Sequence, residues 1–321
     1  METRAKWTDL IPDVGLKIAE VIDQASLTYQ PGIAGILLTT TGSGAQRNFT
    51  GMTGFGEIKE FAEGADVPAV SREKTYTTSV AYSNYGGSVQ VTKNALEDRD
   101  FNSQLDEMSR LTVSMNVGTD KSGMQLFNGG FATTTTVNGY KVTWYGDGKP
   151  QFSTIHPTTV PGGSTQSNAS STGIPLTHDN YEVGRLALEL QQTDNGLPMT
   201  LAGKNTLVIP LKLEKKAFET VNSELTPENA NNALNFFRGS VDVMSTKYLD
   251  SINGGSNTAW FIVKKGDHAL YQETRQSPRL EQDVDVLSKT VTFTIDARWA
   301  NYSREWKGTW ASKGDSAAYS S

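Results

Sequence analysis

Residues 54–78 are too long, too polar and too rich in glycine to bury themselves, and they stand directly before a strand and a long helix. Gly54, Gly56 and Gly64 punctuate the segment and Pro68 interrupts it. The stretch 62–70 reads as the tip of a long hairpin whose return limb starts near residue 71. Each limb of roughly ten to twelve residues, at about 3.3 Å per residue, reaches on the order of 35 Å. A two-stranded ribbon of that length is not stable alone in water. An arm of this kind belongs on a neighbouring molecule, so it points to a subunit of an assembly before it points to an enzyme. The plainer alternative is an ordinary hairpin folded back on its own sheet.

The elements that follow have clear periods. Residues 82–91 alternate as a strand does, and Phe101, Leu105, Met108, Leu111 and Met115 recur at three- and four-residue steps, the stripe of an amphipathic helix. Met124 and Phe127 extend it past Gly118 and Gly123 to a rod of about 40 Å. That stripe reads as core packing. Upstream, Val14, Ile18, Val21, Ile22 and Ala25 predict a short amphipathic helix, with residues 32–49 showing no clear period. Downstream, 133–144 is strand-like and 146–173, rich in Gly, Ser, Thr and Pro, reads as a long loop. Asp179 to Glu182 has capping-box spacing, leading a helix with Tyr181, Leu186, Leu188 and Leu190. Residues 206–213 form a buried strand in which Pro210 suggests an edge or a bulge. A short helix (214–222) and strands at 241–244, 259–263 and 290–299 complete the order, closed by Trp306 and Trp310.

Composition narrows the function classes. The 321 residues suffice for one large domain or two modest ones. Hydrophobic content of 36% is low for a compact monomer, and 30 glycines imply many turns; partners then supply part of the apolar burial. With 35 acids against 29 bases, the net charge of −6 leaves no electrostatic footprint for nucleic-acid binding. The absence of cysteine excludes disulfides, thiolate nucleophiles and Cys-based metal sites. The longest apolar run, 33–38, is too short to span a bilayer, and no apolar segment follows the N-terminus as in a secretory signal.

Searching for chemistry yields little. No phosphate-binding loop or dinucleotide fingerprint occurs, and Gly162-Gly-Ser-Thr165 sits in a loop whose composition explains it. His156, His178 and His268 have no second histidine or carboxylate at metal-ligand spacing, and no nucleophile elbow supports a triad. No catalytic, cofactor-binding or metal-binding residue is therefore assigned, and the chain reads as a non-enzyme without cofactors. Glu57, Glu60 and Glu63 recur every third residue along the arm, with Lys59 between them and Arg72, Glu73 and Lys74 on the return limb. They read as a solvated face or as partners for charges on an adjacent subunit, with Arg298, Arg304 and Lys307 as candidate receptors. Exposed pairs of this kind contribute only about 0 to 1 kcal/mol each.

The order of these pieces resembles the major capsid proteins of tailed bacteriophages, which have the Hong Kong 97 fold. Residues 54–78, with Glu63-Gly-Ala-Asp-Val-Pro68 at the tip, match the family's extended loop. Residues 85–98 resemble the strand entering its spine helix, and 146–157 are similar to a segment of Mu-like head subunits. Residues 205–213 resemble the axial-domain strand, and 298–310 the closing strands. The resemblance implies an α+β fold with an N-terminal arm (1–53), an extended loop (54–80), a peripheral domain with the spine helix (81–132), an axial domain (133–283), and return strands with a C-terminal tail (284–321).

It further implies a head protein assembling into hexamers and pentamers of an icosahedral shell around double-stranded DNA. The DNA is enclosed without sequence-specific binding, and no membrane is involved. The protein would be assembled in the host cytoplasm and reside in the virion, with portal, scaffolding and decoration proteins as further partners. With about fifty residues ahead of the loop, scaffolding is expected from a separate protein or not at all. Lys59 or Lys74 could offer an amine for the Lys–Asn cross-link of one relative, although no local motif supports it. Alternatives are an encapsulin-like compartment, a tail or decoration protein, and a hydrolase using the 146–173 loop.

Overall fold

A computed structural model describes residues 36–70, 72–92, 94, 101–225, 234–285 and 287–315. The helix expected at 14–25 lies outside them, as do the side chains of 101–108. The main sheet is organised by β11 (Thr290–Ser303). Along one edge it pairs antiparallel with β10 (Leu270–Asp285). Its other edge takes β4 (Ser83–Thr92), in register from Thr290↔Thr92 to Trp299↔Ser83. Further along, Asn301 and Tyr302 of β11 pair in parallel with β6 (Tyr140–Thr143), itself joined to β5 (Thr136–Val137). β1 (Leu38–Thr41) extends the sheet beside β10. The strand-like stretch 133–144 is thus a tight hairpin: Asn138 and Gly139 both take positive φ, as a two-residue turn of this kind requires.

The alternation of β11 is strict, with Val291, Phe293, Ile295, Ala297 and Trp299 all buried. This face meets helix α1 (Phe101–Asn128). Tyr85 stacks on Trp299 at 3.9 Å, and the Trp299 indole N–H donates to Ser122 Oγ at 2.8 Å. Gly87 lets the helix close on the sheet, since a Cβ there would lie 2.9 Å from Leu111. Gly118 and Gly123 do not break α1. The cost of each, about 1 kcal/mol, is offset where Met124, Leu126 and Phe127 enter a fully buried cluster with Phe152 and Phe261.

The second sheet runs β12 (Thr309–Ser312), β9 (Trp260–Lys264), β7 (Asn205–Pro210), β8 (Val241–Thr246). All six residues of β7 are buried. Pro210 marks neither an edge nor a bulge: it ends a central strand, two residues past the last position paired with β9. Helix α2 (His178–Glu189) covers this sheet through Tyr181, Gly184 and Leu188, while Leu186 and Leu190 point outward. Its cap is Thr177, whose side chain accepts from the Asn180 backbone N–H at 3.2 Å, and not the expected Asp179. Helix α3 (Glu214–Val221) packs on β7 and β8 through Ala217 and Val221.

The expected long loop 146–173 is irregular yet part of the core. His156 is buried, stacked on Trp306 at 4.4 Å, with Nδ1 2.6 Å from Asp147 and Nε2 3.1 Å from Asn168. The fully buried Asn168 amide donates to the carbonyls of Gln151 (2.8 Å) and Trp306 (3.3 Å), and its oxygen accepts from the Ser153 N–H (2.9 Å). These bonds satisfy the backbone of a segment that has no ladder of its own. They also tie it to the turn ahead of β12, so residues 309–312 close the second sheet and not the first.

Candidate assembly arm and its clamp

The arm springs from a two-stranded ribbon, β2 (Gln46–Met52) with β3 (Lys74–Ala81). Pairing is confined to this root, and residues 53–70, 72 and 73 take no regular structure. The expected ribbon running to the tip is therefore shorter and displaced toward 46–52. Gly54, Gly56, Gly64 and Pro68 explain this, since each weakens or prevents a ladder. Thr53 closes the root: its N–H donates to the Glu73 carbonyl at 2.8 Å and its hydroxyl accepts from the Glu73 N–H at 2.9 Å. A turn at Ala62–Ala65, with Gly64 at φ +82°, reverses the chain.

Beyond the root the arm exposes large apolar side chains: Ile58 at 87%, Val67 at 72%, Phe55 at 56% and Phe61 at 49%. Its cleft of about 510 Å³ meets the body only through Val160 and Asn195, and the Asn195 amide donates to the Gly54 carbonyl. Apolar surface left in water costs about 25 cal/mol per Å² relative to burial, and a patch rimmed by charge marks an interaction site.

The root is fixed to the main sheet by Val80, fully buried with Ala300 and Tyr302, and by a buried carboxylate. Glu273 on β10 is fully buried. Its Oε1 accepts from Arg47 of β2 at 2.5 Å and from the Tyr82 hydroxyl at 2.5 Å, and its Oε2 accepts from the Tyr302 hydroxyl. Tyr302 stacks between Phe49 (5.3 Å) and Tyr271 (5.5 Å). The Arg304 guanidinium covers both outer rings at 3.9 and 4.0 Å and donates to the Tyr302 hydroxyl at 2.9 Å. Burial works to raise the Glu273 carboxyl, but the hydrogen bonds from Tyr302, Tyr82 and Arg47 outweigh it and hold it below the ordinary carboxylate value. Burial, reinforced by Glu273, raises both phenols, so they remain donors.

Of the charged residues singled out by sequence, Glu57, Lys59, Glu60 and Glu63 lie on the exposed part of the arm. Arg72 stays at the root, its guanidinium 5.0 Å from the Phe55 ring, beside Glu73 and Lys74. The receptors fare differently. Arg298 sits in β11 across from Asn84 and Gln276. Arg304 serves the clamp. Lys307 is buried between Glu305 (2.7 Å) and Asp194 (3.0 Å). Burial pulls its ammonium down, but those two carboxylates outweigh it and hold it above its ordinary value. Arg304 and Lys307 thus use their charge within their own chain. Sequence reasoning passed over Arg47, Tyr82, Glu273 and Tyr302, which lie far apart in the chain, and the apolar residues of the arm, whose spacing among acids was the available signal. Among the described residues, no group of three or more His, Asp or Glu side chains could hold a metal, and no helix is long and apolar enough to cross a membrane.

A clamped, apolar, outward arm defines a subunit built to bind other molecules, and the comparisons say of which kind. The family model described as phage capsid protein matches residues 72–311. The chain belongs to that family, and its role is that of a capsid subunit, which associates with copies of itself. No curated protein matches it. Among solved structures, it shares its fold with the capsid of Myoviridae phage XM1 (13% identity, TM-score 0.53, covering 88% of this chain and 90% of that one). The bacteriophage JBD30 capsid is similar (16%, 0.53, 70% and 92%), as is a structure of Mycobacterium phage Patience (12%, 0.54, 98% and 89%). The α+β capsid fold expected from the Hong Kong 97 resemblance is the fold observed.

Proposed function

We propose that this chain is the major head protein of a tailed phage, closing as hexamers and pentamers into an icosahedral shell that encloses double-stranded DNA. The carrying observation is the exposure of Ile58, Phe61 and Val67 on an arm whose root is held rigidly by Glu273. Rigid presentation of apolar surface favours association because little freedom remains to be lost. On this reading residues 54–80 form the reaching loop, α1 with the β4–β11–β10 sheet the peripheral domain, and the β7–β9 sheet with α2 and α3 the axial domain. Glu57, Lys59, Glu60 and Glu63 rim the contact and set its register more than its strength. Many modest contacts repeated by closed symmetry then give a stable shell, without catalysis. The net charge of −6 keeps the shell from gripping its genome. The protein resides in the virion after assembly in the host cytoplasm, with portal, scaffolding and decoration proteins as further partners.

The test compares the full chain with a variant lacking residues 56–70, by sedimentation and negative-stain microscopy. The full chain should form closed particles. The variant should sediment as a folded monomer with an unchanged circular dichroism spectrum. Normal particles from the variant would remove the arm from the mechanism.

A further inference from the structure

Lys264 on β9 is buried and stands directly across from Asn205 of β7. The Lys265 N–H donates to the Lys204 carbonyl at 2.9 Å. Residues 204 and 265 are therefore the hydrogen-bonded pair, and 205 and 264 the closer, unbonded pair beside it. Side chains at such a pair share one face of the sheet, with Cβ atoms about 5 Å apart. Glu189, at the end of α2, meets both of them. Its Oε1 accepts from Lys264 Nζ at 2.6 Å and from Asn205 Nδ2 at 3.4 Å. The other atom of that amide, Asn205 Oδ1, is buried and has no hydrogen-bond partner. The Tyr181 hydroxyl, on the same helix as Glu189, is also buried and unpartnered. Burial raises this phenol, and nearby Asn205 works against the rise. A plain ion pair accounts for Lys264 and Glu189 but leaves both orphaned oxygens unexplained.

We propose that Lys264 and Asn205 join in an isopeptide bond within the chain, with Glu189 carrying the protons. Glu189 takes a proton from the Lys264 ammonium, and the freed amine attacks Asn205 Cγ. Charge then gathers on Oδ1, where the Tyr181 hydroxyl is placed to donate. Glu189 faces the attacking nitrogen and the departing one through a single oxygen, so it passes protons from Nζ to Nδ2. The Cγ–Nδ2 bond breaks as the Cγ–Nζ bond is kept. Two Nζ protons end on the leaving group. An ammonium and a carboxamide thus become a secondary amide and an ammonium ion, with nothing oxidised or reduced. The Glu189 side chain, 35% exposed, gives that ion a route to water. The reaction also removes a buried cation, whose desolvation is costly. The bond ties β7 to β9 in a chain that has no cysteine for a disulfide. It joins two strands of one molecule, not two copies, and involves neither Lys59 nor Lys74.

Mass spectrometry of the intact, denatured full chain tests the bond without any substitution. The protein should weigh about 17 Da less than its sequence, the mass of one ammonia. A tryptic digest should contain one branched peptide carrying both residue 205 and residue 264. The full sequence mass would overturn the bond, and so would the lower mass without the branched peptide. Lys264→Arg keeps the charge facing Glu189 but cannot be acylated in this way, so it should restore the full mass with an unchanged circular dichroism spectrum. Glu189→Gln, at a partly exposed position, should also keep the fold. It should slow bond formation by about 100-fold or more, so freshly purified variant should carry the full mass. A Lys264→Arg chain that still weighs about 17 Da too little, or a Glu189→Gln chain that still yields the branched peptide in full, would overturn the assignment.

Discussion

Replacing Glu273 with glutamine should loosen the arm without unfolding the body. The carboxylate receives Arg47 and Tyr82 on one oxygen and Tyr302 on the other. Glutamine keeps the shape but offers a single acceptor oxygen, so one side meets an amide N–H₂ and the charge is lost from every bond. A hydrogen bond to a charged group is worth about 1.5–3 kcal/mol against about 1 for a neutral one. Arg47 loses its ionic partner, but its side chain is 35% exposed and water recovers part of that loss. The total comes to about 3 kcal/mol, or roughly a 100-fold change in a local opening constant. Hydrogen exchange read by mass spectrometry should show protection falling by that factor in β2 and β3, with the β7–β9 sheet unchanged. The same loss should appear in the unsubstituted protein in acid. Glu273 is held below its ordinary value, so its contribution is complete above the normal carboxylate range and disappears as pH falls through the depressed folded value. Protection lost evenly across the molecule, or not lost in β2 and β3, would refute the clamp.

Burial pushes His268 down to about 4 from an ordinary 6.5. Stability should be complete above 6.5 and decline by about 3 kcal/mol as pH falls to 4, then level off for this group; His268→Gln should flatten that part of a denaturant-melt series. Asn168→Ala should cost about 3 kcal/mol, because it leaves the Gln151 carbonyl, the Ser153 N–H and His156 Nε2 without their buried partner, while the Trp306 carbonyl keeps the Thr309 hydroxyl and His156 Nδ1 keeps Asp147; urea unfolding checks it. Gly184→Ala places a Cβ 2.7 Å from the Trp310 ring and 3.1 Å from Ile262. The helix gains about 1 kcal/mol from alanine, but overpacking against a buried indole costs about 1–3, so thermal melts should show a net loss of about 1 kcal/mol.

What the sequence disclosed was what local periodicity can carry. The 82–91 strand, the 101–127 helix from residue 109 on, and the strand expected at 206–213, which ends at Pro210 before a 3₁₀ turn, each bury a stripe or run, so their patterns survive in composition. β10 does not: within Leu270–Asp285, most residues past Gln276 are exposed, and nothing in that polar run signals a strand. The 146–173 segment looked like solvent-facing loop because much of its interior is polar, with Asn168 and His156 buried alongside Phe152 and Ala169. The clamp was invisible for a different reason. Arg47 and Glu273 are 226 residues apart, and only the packing of β2 on the main sheet brings them together. Charge patterning did mark the outer arm, but it also named Arg304 and Lys307, whose charges are engaged within the chain. The exposed apolar residues between the glutamates offer the larger area for burial, and a reading weighted toward charge passed over them.

The most direct measurement is a cryo-electron microscopy reconstruction of the particles formed by the full chain, with residues 53–73 traced in density. Those residues should lie on a different copy from the one whose β2 and β3 they join, with Ile58 and Phe61 out of water. A trace that returns them to their own body, or a chain that remains monomeric at high concentration, would contradict the account.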